Sequence, residues 1–197
     1  MQKINLQVDF MKIIGIFAHI KGSLISVKFQ ENEIDEFEKI FDNWTDVEYL
    51  FDFFNENIND LNSGFYGNIS IEEAIERTIE EAEELEETIL EISESGHKDN
   101  YETLQTLFKP LNNNDYQIKD YQKTKAYGFE RKSWLRVYAI RIASNTFVIS
   151  GGAIKLTPTM NEREHLKKEL RKLEIVKDYL IENDLFDEND FEYLEIK

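Results

Sequence analysis

The chain has 197 residues, a formal net charge of −17 and no cysteine, so disulfide bonds and cysteine-ligated metal sites are excluded. Its hydrophobic content of 41% is enough for a sizeable core. It has no run of about 18 apolar residues and no recognisable secretion signal. We therefore expect a cytoplasmic protein without a membrane association, folded as a single domain over residues 1–197.

Charge is distributed very unevenly along the chain. Residues 31–100 contain 23 acidic and 3 basic residues, whereas residues 101–177 contain 15 basic and 8 acidic residues. An acidic protein can bind a polyanion only through a local basic surface, because salt screens charges over about 10 Å. The second block is therefore where we look for a functional site.

Three N-terminal segments have the alternating or β-branched pattern of strands. They are residues 3–10, 12–20 and 23–29, and Lys21-Gly22 is the predicted turn of a hairpin between the last two. These segments and the helices that follow make up the first part of the domain, over residues 1–100.

Two capping boxes predict helices in the acidic block. Thr45 with Glu48 predicts a helix from about Asp46 to Leu61. Ser70 with Glu73 predicts a second helix to about residue 92, which carries an apolar stripe and an outer face of glutamates. We interpret this glutamate face as solvated, with a docking face for a basic partner as the alternative.

The second part, over residues 101–183, is predicted to contain a short helix, three strands and a long basic helix. The short helix covers 101–108, the strands cover 121–127, 134–142 and 146–156, and Asn161 with Glu164 caps the long helix, whose outer face carries Lys167, Lys168, Arg171 and Lys172. An acidic segment, 184–197, completes the chain. Runs of strands and helices without strict alternation predict an α+β fold with an antiparallel sheet.

The basic strands contain the best candidate site. Arg136 and Tyr138 share one face of their strand, so a guanidinium that forks onto phosphate lies beside a ring that can stack on a base. Further RNA-binding candidates surround them: Lys123, Lys125, Arg131, Lys132 and Arg141. The alternative at each position is a surface ion pair for Arg136 and a half-buried core position for Tyr138.

Two other features invite a functional interpretation. Gly151-Gly152 inside a strand predicts either a bulge or a close approach of a ligand near Lys155. His165, in the first turn of the basic helix, is a candidate general acid or base. His19 and His97 have no metal-ligand spacing and are expected to be structural.

Residues 108–173 resemble the RelE/HigB-like superfamily of bacterial toxins, including its phage-derived relatives. The resemblance is carried by FKPL at 108–111, LRVY at 135–138, FVISGGAIKLT at 147–157 and the basic helix at 162–173. It implies a RelE-like antiparallel sheet packed by helices, here with an acidic helical elaboration.

The resemblance implies a toxin that cleaves mRNA, usually on the ribosome, and that is neutralised by a helix-turn-helix antitoxin. It also implies catalysis without a metal or other cofactor, in which Arg136 stabilises phosphate, Tyr138 stacks or assists, and Lys155 adds a phosphate contact. Two alternatives stay open: a non-enzymatic acidic protein-interaction module, and a phage anti-defence protein that mimics nucleic acid by its charge. The oligomeric state is not predicted.

Overall fold

Within the residues that the computed structural model describes, 11–99, 102–112, 117–130 and 132–196, six strands form one mixed sheet. The strands are β1 Ile13–Ile20, β2 Leu24–Phe29, β3 Lys109–Pro110, β4 Gln122–Tyr127, β5 Leu135–Arg141 and β6 Phe147–Ile154. Their order across the sheet is β1-β2-β6-β5-β4-β3. The strand predicted at 3–10 lies outside the described residues.

Helices cover both faces of this sheet. The helices are α1 Glu36–Thr45, α2 Val47–Glu56, α3 Ile58–Leu61, α4 Ile71–Asp99, α5 Leu104–Leu107 and α6 Glu164–Glu182, followed by a 3₁₀ turn at Glu188–Phe191. Leu135 and Val137 of β5 belong to the core shared with α1, α2 and α4, whereas Ile140 belongs to the core shared with α6. The expected α+β class is therefore confirmed. Among the described helices, none is long and apolar enough to cross a membrane.

The expectation of an antiparallel sheet is wrong in one pairing. β2 pairs in parallel with β6, while the other neighbouring strands pair antiparallel. The helices α1 to α5 lie between these two strands in the chain, which gives room for the crossover that a parallel pair requires. Local sequence patterns do not show which distant strands become neighbours.

The predicted and observed ends of the second helix differ, because another residue caps its start and an interruption divides it. Asp46, not Thr45, caps α2 by accepting from the backbone N–H groups of Glu48 and Tyr49. The predicted helix 46–61 is interrupted at Asn57, which divides α2 from α3. The box of Ser70 and Glu73 is confirmed, with both reciprocal hydrogen bonds present.

Three further predictions are corrected by the structure. Helix α4 continues through Gly96 to Asp99, and the absence of a side chain at 96 leaves room for the Asn145 side chain. Helix α6 begins at Glu164 without a side-chain cap, so the box of Asn161 and Glu164 is absent. Lys172 is buried, not exposed on the outer face of α6.

A buried charge cluster explains both the burial of Lys172 and the glycine at position 151. The Lys172 ammonium donates to Glu36 Oε2 and to Glu169 Oε1, each over 2.7 Å. Gly151 has a positive φ of 155° beside a bulge in β6, and a Cβ there would overlap Glu169 Oε2. The bulge prediction is therefore confirmed, and the group that approaches Gly151 is a side chain of the protein itself.

Candidate nucleic-acid interface

Two adjoining cavities lie at one end of the sheet, where β4 ends, β5 begins and β6 ends. Helix α6 packs on β6 and β5, so the same face of β4 is left uncovered beside it. The larger cavity has a volume of about 760 Å³ and the smaller one about 370 Å³. Both cavities are lined by Tyr127, Arg136, Lys155 and Pro158, which form their common wall.

Arg136 occupies the centre of this wall. Its guanidinium carbon lies 4.0 Å from the centre of the Tyr127 ring, and its Nη1 donates to the backbone oxygens of Ser133 and Leu135. The side chain is partly buried, and among the described residues no carboxylate forms an ion pair with it. The backbone therefore fixes one edge of the guanidinium, and its remaining N–H groups can donate to an anion.

Lys155 follows β6 and brings a second cation to the same wall. Its ammonium donates to the backbone oxygens of Thr157 and Pro158, each over 2.7 Å. Burial, and then repulsion from Arg136 and Lys125, lowers the pKa of Lys155 from its ordinary value. Burial is the largest cause of this fall in pKa, the repulsion from the two neighbouring cations adds to it, and the Glu162 carboxylate partly offsets both.

Aromatic rings and further lysines surround the two cations. The Lys125 ammonium lies 5.6 Å from the centre of the Tyr127 ring and donates to the Leu111 backbone oxygen. The Lys132 ammonium lies 4.9 Å from the centre of the Phe65 ring and donates to the Phe65 backbone oxygen. Lys132 lines the larger cavity and Lys125 the smaller one, and Arg136 lies in the wall that the two cavities share.

The lining is strongly basic for a protein with 40 acidic residues. Among its described residues it contains four basic side chains and a single carboxylate, Glu130. The basic residues are Lys125, Lys132, Arg136 and Lys155. No cluster of three or more histidine or carboxylate side chains that could hold a metal occurs in the described part of the chain.

Tyr138 lies at the floor of the smaller cavity, on the same strand face as Arg136, as the strand period predicts. It is buried, and its hydroxyl contacts the Met160 sulfur at 2.9 Å. Burial raises the pKa of Tyr138 well above its ordinary value. The hydroxyl therefore stays protonated near neutral pH, and the ring contributes mainly to the floor.

The structure places three other candidates away from the cavity lining. Lys123 forms an ion pair with Glu174 of α6, and Arg141, at the far end of β5, donates to Gln105 Oε1 over 3.0 Å. His165 packs edge-on against Phe53, with its Nε2 3.3 Å from the Ile154 backbone oxygen. Its role as an acid or base stays a prediction, without support from its position. Arg131 lies outside the described residues.

Sequence reasoning missed the aromatic part of the lining. Phe65 and Tyr66 belong to the loop between α3 and α4, a stretch for which the sequence predicts neither a helix nor a strand. Tyr127 stands on β4 opposite Arg136 in the antiparallel register. The available signal was the pair of aromatic residues between two glycines, GFYG at 64–67, which is unusual for a solvated loop.

Comparisons with known proteins identified no relative of this chain. No protein-family model matches the chain, and no curated protein or solved structure shows significant similarity to it. The functional argument therefore rests on the geometry of the two cavities.

Proposed function

We propose that this protein is a toxin-type endoribonuclease that cleaves single-stranded mRNA at the wall formed by Arg136 and Lys155. One observation carries the proposal: two partly buried cations lie together with no carboxylate partner among the described residues, in a chain with a net charge of −17. Unpaired cations in a partly desolvated cavity are an anion site, and phosphate is the anion that the guanidinium fork fits best.

The order of elements supports the same proposal. The helices α1 to α4 precede a segment at 108–111, the Arg-bearing strand β5, the apolar strand β6 leading to Lys155, and the helix α6. This is the order that the resemblance to the RelE/HigB-like toxins implies. The proposal includes the partners implied by that resemblance: mRNA on the ribosome and a cognate helix-turn-helix antitoxin.

The reaction needs no group beyond the described side chains. The ribose O2′ attacks the phosphorus and the P–O5′ bond breaks, leaving a 2′,3′-cyclic phosphate and a 5′-hydroxyl. Glu130 accepts the 2′-hydroxyl proton, Lys155 donates a proton to the leaving oxygen, and solvent restores both groups. Arg136 stabilises the additional negative charge on the phosphate oxygens in the transition state.

Glu130 is assigned as the base because of what surrounds it. A general base needs a free lone pair with which to accept a proton. An ammonium or guanidinium group has no such lone pair, so the basic side chains of the lining are excluded. Burial raises the pKa of Tyr66 and of Tyr138, so neither phenol is a base near neutral pH. Glu130 is the one carboxylate in the described lining.

The test compares purified wild type with Arg136→Ala and Lys155→Ala on a labelled single-stranded RNA, in EDTA. We expect metal-independent cleavage by the wild type and a loss of roughly 100-fold or more in each variant, as for other transition-state donors. Arg141→Ala is the matched control, because it removes the same type of side chain from the same strand outside the cavities. Equal cleavage by wild type and both cavity variants would remove the proposed site.

A parallel measurement in cells connects cleavage with toxicity. Induced expression of the wild type is expected to arrest growth with loss of intact mRNA, and the Arg136→Ala and Lys155→Ala variants are expected to grow normally. Normal growth with intact mRNA under wild-type expression would contradict the toxin assignment.

A second candidate, the non-enzymatic acidic interaction module or nucleic-acid mimic, is favoured by a groove beside α4. The groove has a volume of about 490 Å³ and an apolar floor of Ile20 and Leu90. Its rim is acidic and consists of Glu83, Glu86, Glu87, Glu91 and Glu94. Absence of RNA cleavage, together with a basic partner that the wild type retains and Glu87→Lys/Glu91→Lys loses, would favour this candidate.

A further inference from the structure

The loop of residues 64–67 presents two aromatic rings to the larger cavity. Gly64 and Gly67 have φ values of 88° and 85°, a conformation that other residues rarely adopt. Nothing lies within 4 Å of a Cβ placed at either glycine, so their role is conformational and not steric. The two glycines therefore set the direction in which Phe65 and Tyr66 point.

Tyr66 anchors this loop to the body of the protein. Its ring packs edge-on against Trp134, with 5.2 Å between ring centres, and its hydroxyl donates to the Lys155 backbone oxygen over 2.9 Å. Trp134 is fully buried and held in turn by Thr78. The loop is thus tied directly to the residue that carries one of the two site cations.

Phe65, by contrast, is left largely in solvent. Its side chain is 58% exposed although it contacts Tyr66 on one edge and lies beside the Lys132 ammonium. Because more than half of its surface is exposed, this phenyl ring contributes less to folding than a buried phenylalanine would. The same arrangement is what proteins use to stack unpaired bases of single strands.

The dimensions and charges of the larger cavity fit a nucleotide. About 760 Å³ lies within the range of sites that enclose small ligands. The lining combines the aromatic side chains of Phe65, Tyr66 and Tyr127 with the two cations Arg136 and Lys155, at which a phosphate would bind. Bases in a duplex are stacked and paired, so only an unpaired base can enter such a site.

We propose that the larger cavity binds one unpaired nucleobase of a single-stranded RNA, with Phe65 as the stacking surface. This inference rests on the proposed binding of RNA at Arg136 and Lys155, but it does not require cleavage. It assigns a substrate-recognition role to a loop that lies outside the segment with the family resemblance.

The test measures binding of an uncleavable single strand, a fluorescently labelled 2′-O-methyl RNA hexanucleotide, by anisotropy. A single abasic position is moved along the strand. For the wild type, we expect one abasic position to weaken binding by about 10-fold, because stacking of one base contributes about 1–3 kcal/mol. Phe65→Leu should bind about 10-fold more weakly than wild type and lose this sensitivity to the abasic position, whereas Phe65→Trp should retain both properties.

Phe186→Leu is the matched control. Phe186 is 64% exposed and lies beyond the C-terminal end of α6, whereas the cavities lie near its N-terminal end. We expect this control to behave as the wild type. A second variant, Gly64→Ala, should reproduce the effect of Phe65→Leu, because it disturbs the direction of the ring without filling the cavity.

The outcomes separate this inference from the proposed nuclease. Base-dependent binding without cleavage would support the subsite and contradict the nuclease. RNA binding that is equal in wild type and Phe65→Leu, or wild-type binding that ignores every abasic position, would overturn the subsite. Loss of a protein partner in Phe65→Leu with unchanged RNA binding would also overturn it and would indicate a protein-binding loop.

Discussion

Two arginines on one strand show how position decides the role of a residue. Arg136 and Arg141 both belong to β5, but they stand on opposite faces and at opposite ends of it. Arg141 donates to Gln105 outside both cavities, whereas Arg136 lies over Tyr127 in the wall that the two cavities share. Only Arg136 has both a fixed guanidinium and an open side towards a ligand.

The proposed general base gives a test at the scale of a single residue. Glu130→Gln keeps the shape of the side chain but cannot accept the 2′-hydroxyl proton, so we expect cleavage to fall about 100-fold. RNA affinity should stay the same or rise slightly, because a negative charge is removed from an anion site. Single-turnover cleavage and anisotropy measure the two quantities separately.

The control for this substitution is Glu72→Gln, which removes an exposed carboxylate from α4. It is expected to leave both cleavage and affinity unchanged. Cleavage by Glu130→Gln at the wild-type rate would mean that the proton is accepted by another group.

At the scale of elements, the site exists because helix α6 is placed over only part of the sheet. It covers β6 and β5, so Lys125 and Tyr127 of β4 face a gap instead of a core. The loop between α3 and α4 lines the larger cavity, which adjoins this gap. Neither contact could be predicted from local patterns, since each joins residues that are far apart in the chain.

Asn145, in the turn between β5 and β6, joins several of these elements. Its Oδ1 accepts from the Leu104 backbone N–H, its Nδ2 donates to the Ser93 backbone oxygen, and its backbone oxygen accepts from Ser23 Oγ. The side chain of this turn residue therefore connects the turn to α4 and α5.

We expect Asn145→Ala to lower the free energy of unfolding by about 2–4 kcal/mol, because it leaves the buried Leu104 backbone N–H without its partner and removes a second hydrogen bond, to the Ser93 oxygen. Urea denaturation followed by circular dichroism measures the change. Asn55→Ala, at an exposed position of α2, is the control and should change stability by less than about 0.5 kcal/mol. Equal stability of the two variants would contradict the connecting role of Asn145.

At the scale of the whole molecule, opposite charges are separated on the surface and paired in the interior. Most glutamates of α4 stand on exposed positions, with Glu81 as a buried exception that pairs with Arg77, while the cavity wall collects cations. Inside, Lys172 is paired with Glu36 and Glu169 between α1, α6 and the bulge of β6. Burial alone would lower the pKa of Lys172, but the Glu169 and Glu36 carboxylates together raise it.

The same cluster makes stability depend on pH. Burial raises the pKa of Glu169 from 4.5 to about 7, and its Oε2 has no hydrogen-bond partner among the described residues. The folded state therefore holds a proton between pH 4.5 and 7 that the unfolded state has released. In this window the contribution of Glu169 to stability falls as pH rises, and above pH 7 its ionised form opposes folding.

We expect Glu169→Gln to be more stable than the wild type at pH 8, by up to about 3 kcal/mol, with the difference shrinking towards pH 4.5. The Gln side chain retains an oxygen for Lys172 and removes the surplus charge. Urea denaturation at several pH values measures the difference, with the exposed Glu182→Gln as control. A difference that does not change with pH would mean that Glu169 titrates as an ordinary carboxyl.

The sequence alone was sufficient for the local features. Strand alternation correctly located β1, β2, β4, β5 and β6, and the capping box of Ser70 and Glu73 correctly located the start of α4. Strand alternation also placed Arg136 and Tyr138 on one face, and the charge pattern indicated Lys155. These features depend on residues that are neighbours in the chain, so a one-dimensional pattern contains them.

Only the tertiary structure decided which of the basic residues share a site. The parallel pairing of β2 with β6, the burial of Lys172 and the closure of the cavity by Phe65 and Tyr66 all join distant segments. Such contacts are selected by the packing of the whole core, in which many segments compete for the same surfaces. A pattern of charges along the chain therefore indicates a basic region, and the fold determines where an anion can bind within it.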